Sequence, residues 1–202
     1  MQFLMTHSLL SAWVYALKEN PFEDATSESD KYSEFLKTLN RERTETTDAM
    51  RKGIEFEDLV TDIALGGGDE KSPWFDAASK IAKVVKGGAM QLRAYKEIAV
   101  GNVSILLHGR LDTLKTGRIY DIKFSGSYDK GKYFSSTQHP TYFALVPEAF
   151  EFTYLVSNGS AVWTETYRPE DTPSIIPTIE EFLSWLDARG LMDTYKAKWA
   201  AR

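Results

Sequence analysis

Leu9, Leu10, Trp13, Val14 and Leu17 recur at near-helical spacing, so residues 7 to 18 are expected to form a helix, with Thr6 or Ser8 as its cap and Asn20-Pro21 as its stop. A short helix is expected around Tyr32 to Leu39. A longer one starts at Thr46, Thr47 or Asp48 and runs to Leu65, its apolar stripe made by Met50, Ile54, Leu59 and Ile63. Gly66-Gly67-Gly68 ends it, because a run of glycines does not sustain a helix. Residues 74 to 86 form the next helical pattern, closed by Gly87-Gly88 and carrying Lys80, Lys83 and Lys86 along one side. Such a lysine row suits a solvated face better than a phosphate-contacting stripe.

Beyond residue 90 the pattern changes to strands. Lys96 to Val100, Val103 to Thr113 and Arg118 to Phe124 are rich in Ile, Leu, Val and Tyr, and Gly101-Asn102 and Thr116-Gly117 are hairpin turn signals between them. A helix is then expected over about Lys132 to Val146, with Pro140 at a kink or near its true start. Phe152 to Val156 and Ala161 to Tyr167 form a further hairpin around Asn158-Gly159. Pro169, Pro173 and Pro177 mark an irregular crossing before a last helix from about Thr178 to Arg189, which Leu191 to Trp199 extends.

With 202 residues, 43% of them hydrophobic and 13% aromatic, the chain fits one domain, 1-202, with enough apolar material for a buried core. The absence of cysteine excludes a disulfide, a thiolate zinc site, a cysteine-ligated iron–sulfur cluster and a cysteine nucleophile. A net charge of -5 argues against coating nucleic acid non-specifically, though not against a local basic groove. The apolar N-terminus has no basic leader or small-residue cleavage site, and no stretch reaches about 18 uninterrupted apolar residues, so a soluble cytoplasmic protein without a membrane partner is expected.

Candidate chemistry concentrates in HGRLDTLKTGRIYDIKFS, residues 108 to 125. If Thr116 and Gly117 are the central residues of a tight hairpin, Lys115 faces Arg118 and the numbers of every opposed pair sum to 233. Asp112 then sits opposite Asp121, at a Cβ separation of about 4.5–5.5 Å, and Lys123 shares their face. The other face, Leu107, Leu111, Tyr120, Ile122 and Phe124, is a core face. Opposed carboxylates beside an apolar layer repel each other unless a cation lies between them. Oxygen ligands, two carboxylates and a backbone carbonyl, suit Mg²⁺ or Mn²⁺. The Lys123 ammonium would meet charge gathering on a phosphate or orient the attacking water. His108 and Arg110 fall on the same face, where a surface role is as good a reading as phosphate contact, and Arg41, Arg43, Arg51 and Lys52 form a mixed surface with Glu42 and Glu45 or line a groove.

Gly109-Arg110-Leu111-Asp112 followed by Asp121-Ile122-Lys123 resembles the GxxD and (D/E)xK elements of PD-(D/E)XK nucleases. Gly53-Ile54-Glu55-Phe56-Glu57 upstream and Gln138-His139-Pro140-Thr141-Tyr142 downstream complete an ordered set similar to the RecB-like branch, the last resembling its QxxxY element, whose Gln and Tyr lie one helical turn apart. Where that branch commonly has a histidine four residues after the glycine, this chain has Glu57, with Glu55 and Asp58 as nearby substitutes. Ser8, Leu10, Trp13 and Asn20-Pro21 resemble the SxL…CP opening of iron–sulfur members, with Asn20 in place of the cysteine, so no cluster is expected.

The resemblance implies an α/β fold with a PD-(D/E)XK core: a mixed sheet of about five strands flanked by helices, the Glu57 helix lying across the catalytic hairpin. It implies phosphodiester hydrolysis of DNA with one or two Mg²⁺ or Mn²⁺ ions. Glu57, Asp112 and Asp121 would be the ligands, assisted by the Ile122 carbonyl, with Lys123, Gln138 and Tyr142 completing the catalytic set. The expected reaction is exonucleolytic, at DNA ends in phage or bacterial recombination and repair, with a second copy of the chain or a recombination protein as further partner. A structure-specific or restriction-type endonuclease and a catalytically silent nucleic-acid-binding protein are the alternatives.

Overall fold

The computed structural model describes residues 2–17, 25–43 and 45–201, with the backbone alone for 25–29. Asn20 and Pro21 lie outside the described residues. The chain begins with a strand that its sequence does not announce, β1 (Gln2–Thr6), and turns directly into α1 (His7–Leu17). Thr6 Oγ1 caps this helix by accepting from Leu9 N at 3.2 Å. Helix α2 (Ala25–Leu39) starts earlier than its apolar pattern indicates. In α3 (Asp48–Ala64), Thr47 is the cap, accepting from Met50 N at 3.2 Å, and Gly66 beyond the helix end takes φ +97°. Helix α4 (Phe75–Val85) follows.

β2 (Ala89–Val100), β3 (Val103–Lys115) and β4 (Arg118–Phe124) form the central meander. β2 and β3 pair over nearly their whole length, from Val100↔Val103 to Ala89↔Leu114. Helix α5 (Gln138–Leu145), β5 (Glu151–Ser157), β6 (Val162–Tyr167), α6 (Ile176–Ala188) and α7 (Met192–Lys198) complete the order. The last two are separate helices, because Gly190 takes φ +67° between them.

Among the described residues the sheet is mixed and has six strands, where about five were expected. β1 runs parallel to β3 from Gln2↔Ser104 to Thr6↔His108, and β4 runs parallel to β5. Because β2 occupies one edge of β3, β1 and β4 share the other, β1 beside residues 104–108 and β4 beside 113–115. A fork separates them.

Two apolar cores cover the two faces of this α/β sheet. The larger joins α1, α2, α5, α6 and α7 to Met5, Ile105, Leu107, Leu111, Ile119, Phe152 and Tyr154. The smaller joins α3 and α4 to Ile122 and Leu155. Met50 and Ile54, expected in the core stripe of α3, are instead 55% and 54% exposed; Phe56, Leu59, Val60 and Ala64 form that stripe. Lys80, Lys83 and Lys86 are exposed. No helix among the described residues is long and apolar enough to cross a membrane.

Candidate active site

The β3–β4 turn sets the register read from the sequence: Lys115 pairs with Arg118, Leu114 with Ile119 and Thr113 with Tyr120. Thr116 and Gly117 have φ of +46° and +74°, as a tight hairpin with two left-handed central residues requires. The ladder stops there. Asp112 and Asp121 do not pair across it; the Asp112 carboxylate enters the gap, and its Oδ2 accepts from Ile122 N at 2.8 Å, replacing the lost backbone acceptor.

The alternation of side chains also changes phase at this point. Leu111 and Leu114 both pack in the larger core although three residues apart, and on β2 Met90 and Leu92 pack in different cores although two apart. Gln91, between the latter pair, has φ +53°, a left-handed conformation that costs a non-glycine residue free energy. The single core face expected from Leu107 to Phe124 is therefore divided: Leu107 and Leu111 join the larger core, Tyr120, Ile122 and Phe124 the smaller.

The fork gathers the acids around a cavity of about 330 Å³ lined by Glu57, Asp112, Asp121, Ile122, Lys123, Gln138 and Tyr142, with His108, Gly109 and Arg110 on β3 and Thr6, His7 and Ser8 at the β1–α1 junction. Glu57 comes from α3 on the other side of the sheet, and its Oε1 accepts from Gln91 Nε2 at 2.5 Å. Asp121 is 3% exposed. Its Oδ1 accepts from Gln138 Nε2 at 2.5 Å, and Lys123 Nζ lies 2.7 Å from its Oδ2 in an ion pair.

Helix α5 is seated by a glycine. A Cβ on Gly109 would lie 2.3 Å from Tyr142 Cε1 and 2.8 Å from Leu145 Cδ1, so only glycine lets the Tyr142 ring rest on β3. From there the Tyr142 hydroxyl donates to the Arg110 carbonyl at 2.8 Å, and Gln138, one turn back, reaches Asp121. The expected helical start at Lys132 is not realised, because Glu165 on β6 accepts from Gly131 N at 3.2 Å, Tyr133 N at 3.0 Å and the Tyr128 hydroxyl at 2.7 Å, holding that segment in turns.

Burial raises Asp112 well above the usual carboxylate range, and the neighbouring Asp121 and Glu57 charges add to it against the Ile122 N–H and Lys123. Burial likewise raises Glu57, against its bond from Gln91 and with the Asp121 charge. For Lys123, burial works against the ammonium, but the Asp121 carboxylate outweighs it and keeps the lysine charged. His7, a residue the sequence reading did not single out, is lowered to about 4 by burial and by Lys123, so its ring is neutral at physiological pH. Its Nδ1 is buried without a hydrogen-bond partner. Among the described residues no three acidic or imidazole side chains already stand close enough to enclose a metal ion. The three carboxylates instead hold protein partners: Gln91, the Ile122 N–H, Gln138 and Lys123.

Of the basic cluster ahead of Glu57, Arg51 is paired with Asp48 at 2.7 Å and Arg41 lies over the Trp199 ring at 4.1 Å. His108 stacks on Tyr95 at 4.5 Å. Gln91 and His7 carried no signal in the sequence: neither belongs to a spacing pattern, and both reach the site through contacts distant along the chain.

No protein-family model matches the chain, and no curated protein matches it. Among solved structures, the crystal structure of SSO0001 is similar, with a TM-score of 0.50 and 13% identity over 93% of this chain and 78% of that one. At that identity the likeness concerns the fold alone.

Proposed function

We propose that this chain is a metal-dependent DNA nuclease of the PD-(D/E)XK superfamily, related to its RecB-like branch, that hydrolyses phosphodiester bonds at DNA ends. The observation that carries the reading is the fork: Glu57, Asp112 and Asp121, from three different elements, meet at one small cavity with Lys123 beside them. Burying carboxylates together is unfavourable, and the upward shifts of Asp112 and Glu57 express that cost. A divalent cation relieves it. The donor chemistry fits Mg²⁺ or Mn²⁺: Glu57, Asp112 and Asp121 supply the charged oxygens and Ile122 its carbonyl, with the neutral His7 nitrogen on the same cavity. When bound, such an ion lowers the pKa of a coordinated water and polarises a phosphoryl oxygen.

The chain's own residues do the rest. Gln138 orients the Asp121 carboxylate, and Tyr142 fixes α5 on β3 so that Gln138 stays in place. The Lys123 ammonium, kept charged by Asp121, donates to a non-bridging phosphate oxygen as negative charge grows there. Arg110, exposed on the rim, is available to the adjacent phosphate. The small cavity, closed on one side by the β1–α1 junction, suits a strand end. Labelled linear and covalently closed circular DNA, incubated with Mg²⁺, Mn²⁺ or EDTA, test this reading. Metal-dependent shortening of the linear form with intact circles is expected, whereas rapid nicking of circles would overturn the action at ends, and cleavage in EDTA the metal dependence.

A further inference from the structure

A second hollow, of about 550 Å³, adjoins the acid cavity and shares Glu57, Ile122 and Lys123 with it. Its walls are different in kind. Met50, Gly53 and Ile54, on the face of α3 that ends at Glu57, form one side together with Thr46 just ahead of the helix, and Phe124 at the end of β4 forms the other. Met50 and Ile54 are more than half exposed, although apolar residues of their size on a helix ordinarily turn inward.

Gly53 sits between them in the interior of α3. Glycine there costs helix stability and is usually retained for a positive φ or for close packing. Neither holds: its φ is not positive, and a Cβ built on it meets nothing within 4 Å. What the glycine keeps is open space above the helix, one turn from Glu57.

Building on the nuclease reading, we propose that this groove is a nucleobase site, and that the substrate is a single strand whose phosphodiester lies at Glu57, Asp112 and Asp121 while a neighbouring base lies between Met50, Ile54 and Phe124. A base has an apolar face that stacks on aromatic and aliphatic side chains without regard to sequence. A duplex keeps its bases paired and stacked inside, so it offers this groove nothing until its end is unpaired.

The test uses Gly53→Leu, which adds bulk to the groove while replacing a poor helix former by a good one, with Gly53→Ala as the small counterpart. Affinity for a single-stranded oligonucleotide is read by fluorescence anisotropy with Ca²⁺, and cleavage with Mn²⁺, alongside the melting temperature. Expected results are a melting temperature at or above wild type for Gly53→Leu, single-strand affinity and cleavage lower by about tenfold or more, and a much smaller loss for Gly53→Ala. An oligonucleotide with one abasic residue beside the scissile phosphate should show the same loss on the wild-type protein. If wild type and Gly53→Leu bind and cut single strands equally, or the abasic oligonucleotide is processed as well as the intact one, the groove assignment is wrong and the nuclease reading stands. If the wild-type protein neither binds nor cuts DNA with any of the metals, both fall.

Discussion

The two ends of the β3–β4 pair differ in almost every respect. At the turn, Thr113 to Lys115 pair regularly with Arg118 to Tyr120, and Leu114 and Ile119 face one core. At the next residue of each strand, Asp112 and Asp121, the ladder opens, Asp112 occupies the place of a backbone acceptor, Gln91 adopts a left-handed conformation, and three carboxylates and a lysine share a small cavity. The first end obeys local rules and gains stability from them. The second breaks several within a few residues, and that concentration of outliers is what motivates the catalytic role proposed for this end.

The largest effect that would sharpen this contrast is expected from Lys123→Ala. In the proposed mechanism its ammonium acts on charge developed in the transition state, so turnover should fall by about 10²–10³-fold while DNA affinity hardly changes. Equal losses in both would reduce Lys123 to a DNA contact. Gly109→Ala is expected next: the added methyl collides with Tyr142 and Leu145, overpacking that costs about 1–3 kcal/mol, and it lifts Gln138 from Asp121. Thermal unfolding should show a melting temperature lower by roughly 2–4 °C for each kcal/mol, with activity reduced in the fraction that remains folded. An unchanged melting temperature would mean that α5 is not seated as described.

A smaller effect separates the two ends by pH. Asp112 and Glu57 have raised pKa values in the folded protein, so between the ordinary carboxylate range and those raised values the folded state binds more protons than the unfolded one. Their contribution to stability therefore falls as pH rises through that window, and the penalty is absent below about pH 4, where the unfolded chain is protonated too. Glu165, lowered through its bonds from Tyr167, Tyr128, Tyr133 and Gly131 against the effect of burial, acts in the opposite sense. The quantity to read is thus the difference between wild type and Asp112→Asn. In EDTA, from about pH 5 to about pH 8, the wild-type melting temperature should drop relative to the variant's. At the regular end, Thr116 is a β-branched residue at positive φ, and Thr116→Asn should raise stability by up to about 1 kcal/mol with unchanged cleavage.

The same contrast governs what the sequence disclosed. Thr116-Gly117 pinned the hairpin register because a two-residue turn leaves one pairing, and the alternation of Asp121 and Lys123 against Tyr120, Ile122 and Phe124 placed the side chains of β4 correctly. Extending that alternation along β3 failed at Asp112, since no local pattern signals a phase change that depends on Gln91 across the strand pair. β1 escaped notice because it enters α1 without a turn residue and pairs in parallel with residues about a hundred positions away. The turns of residues 128–136 read as helix because their organiser, Glu165, lies on β6. Met50 and Ile54 have core-like spacing, and only the placement of α3 shows that the face they share with Glu57 opens on a groove.

The claim that the fork is a metal site is tested most directly by calorimetric titration of Mn²⁺ into EDTA-stripped wild type, Asp112→Asn, Asp121→Asn and Lys123→Ala, with melting curves before and after. Wild type and Lys123→Ala should bind Mn²⁺ and melt higher with it, whereas both asparagine variants should bind it much more weakly; in EDTA Asp112→Asn should melt higher than wild type, carboxylate repulsion having been relieved, while Asp121→Asn, which leaves the Lys123 ammonium without its partner, should not. Unchanged Mn²⁺ affinity in both asparagine variants would contradict the account.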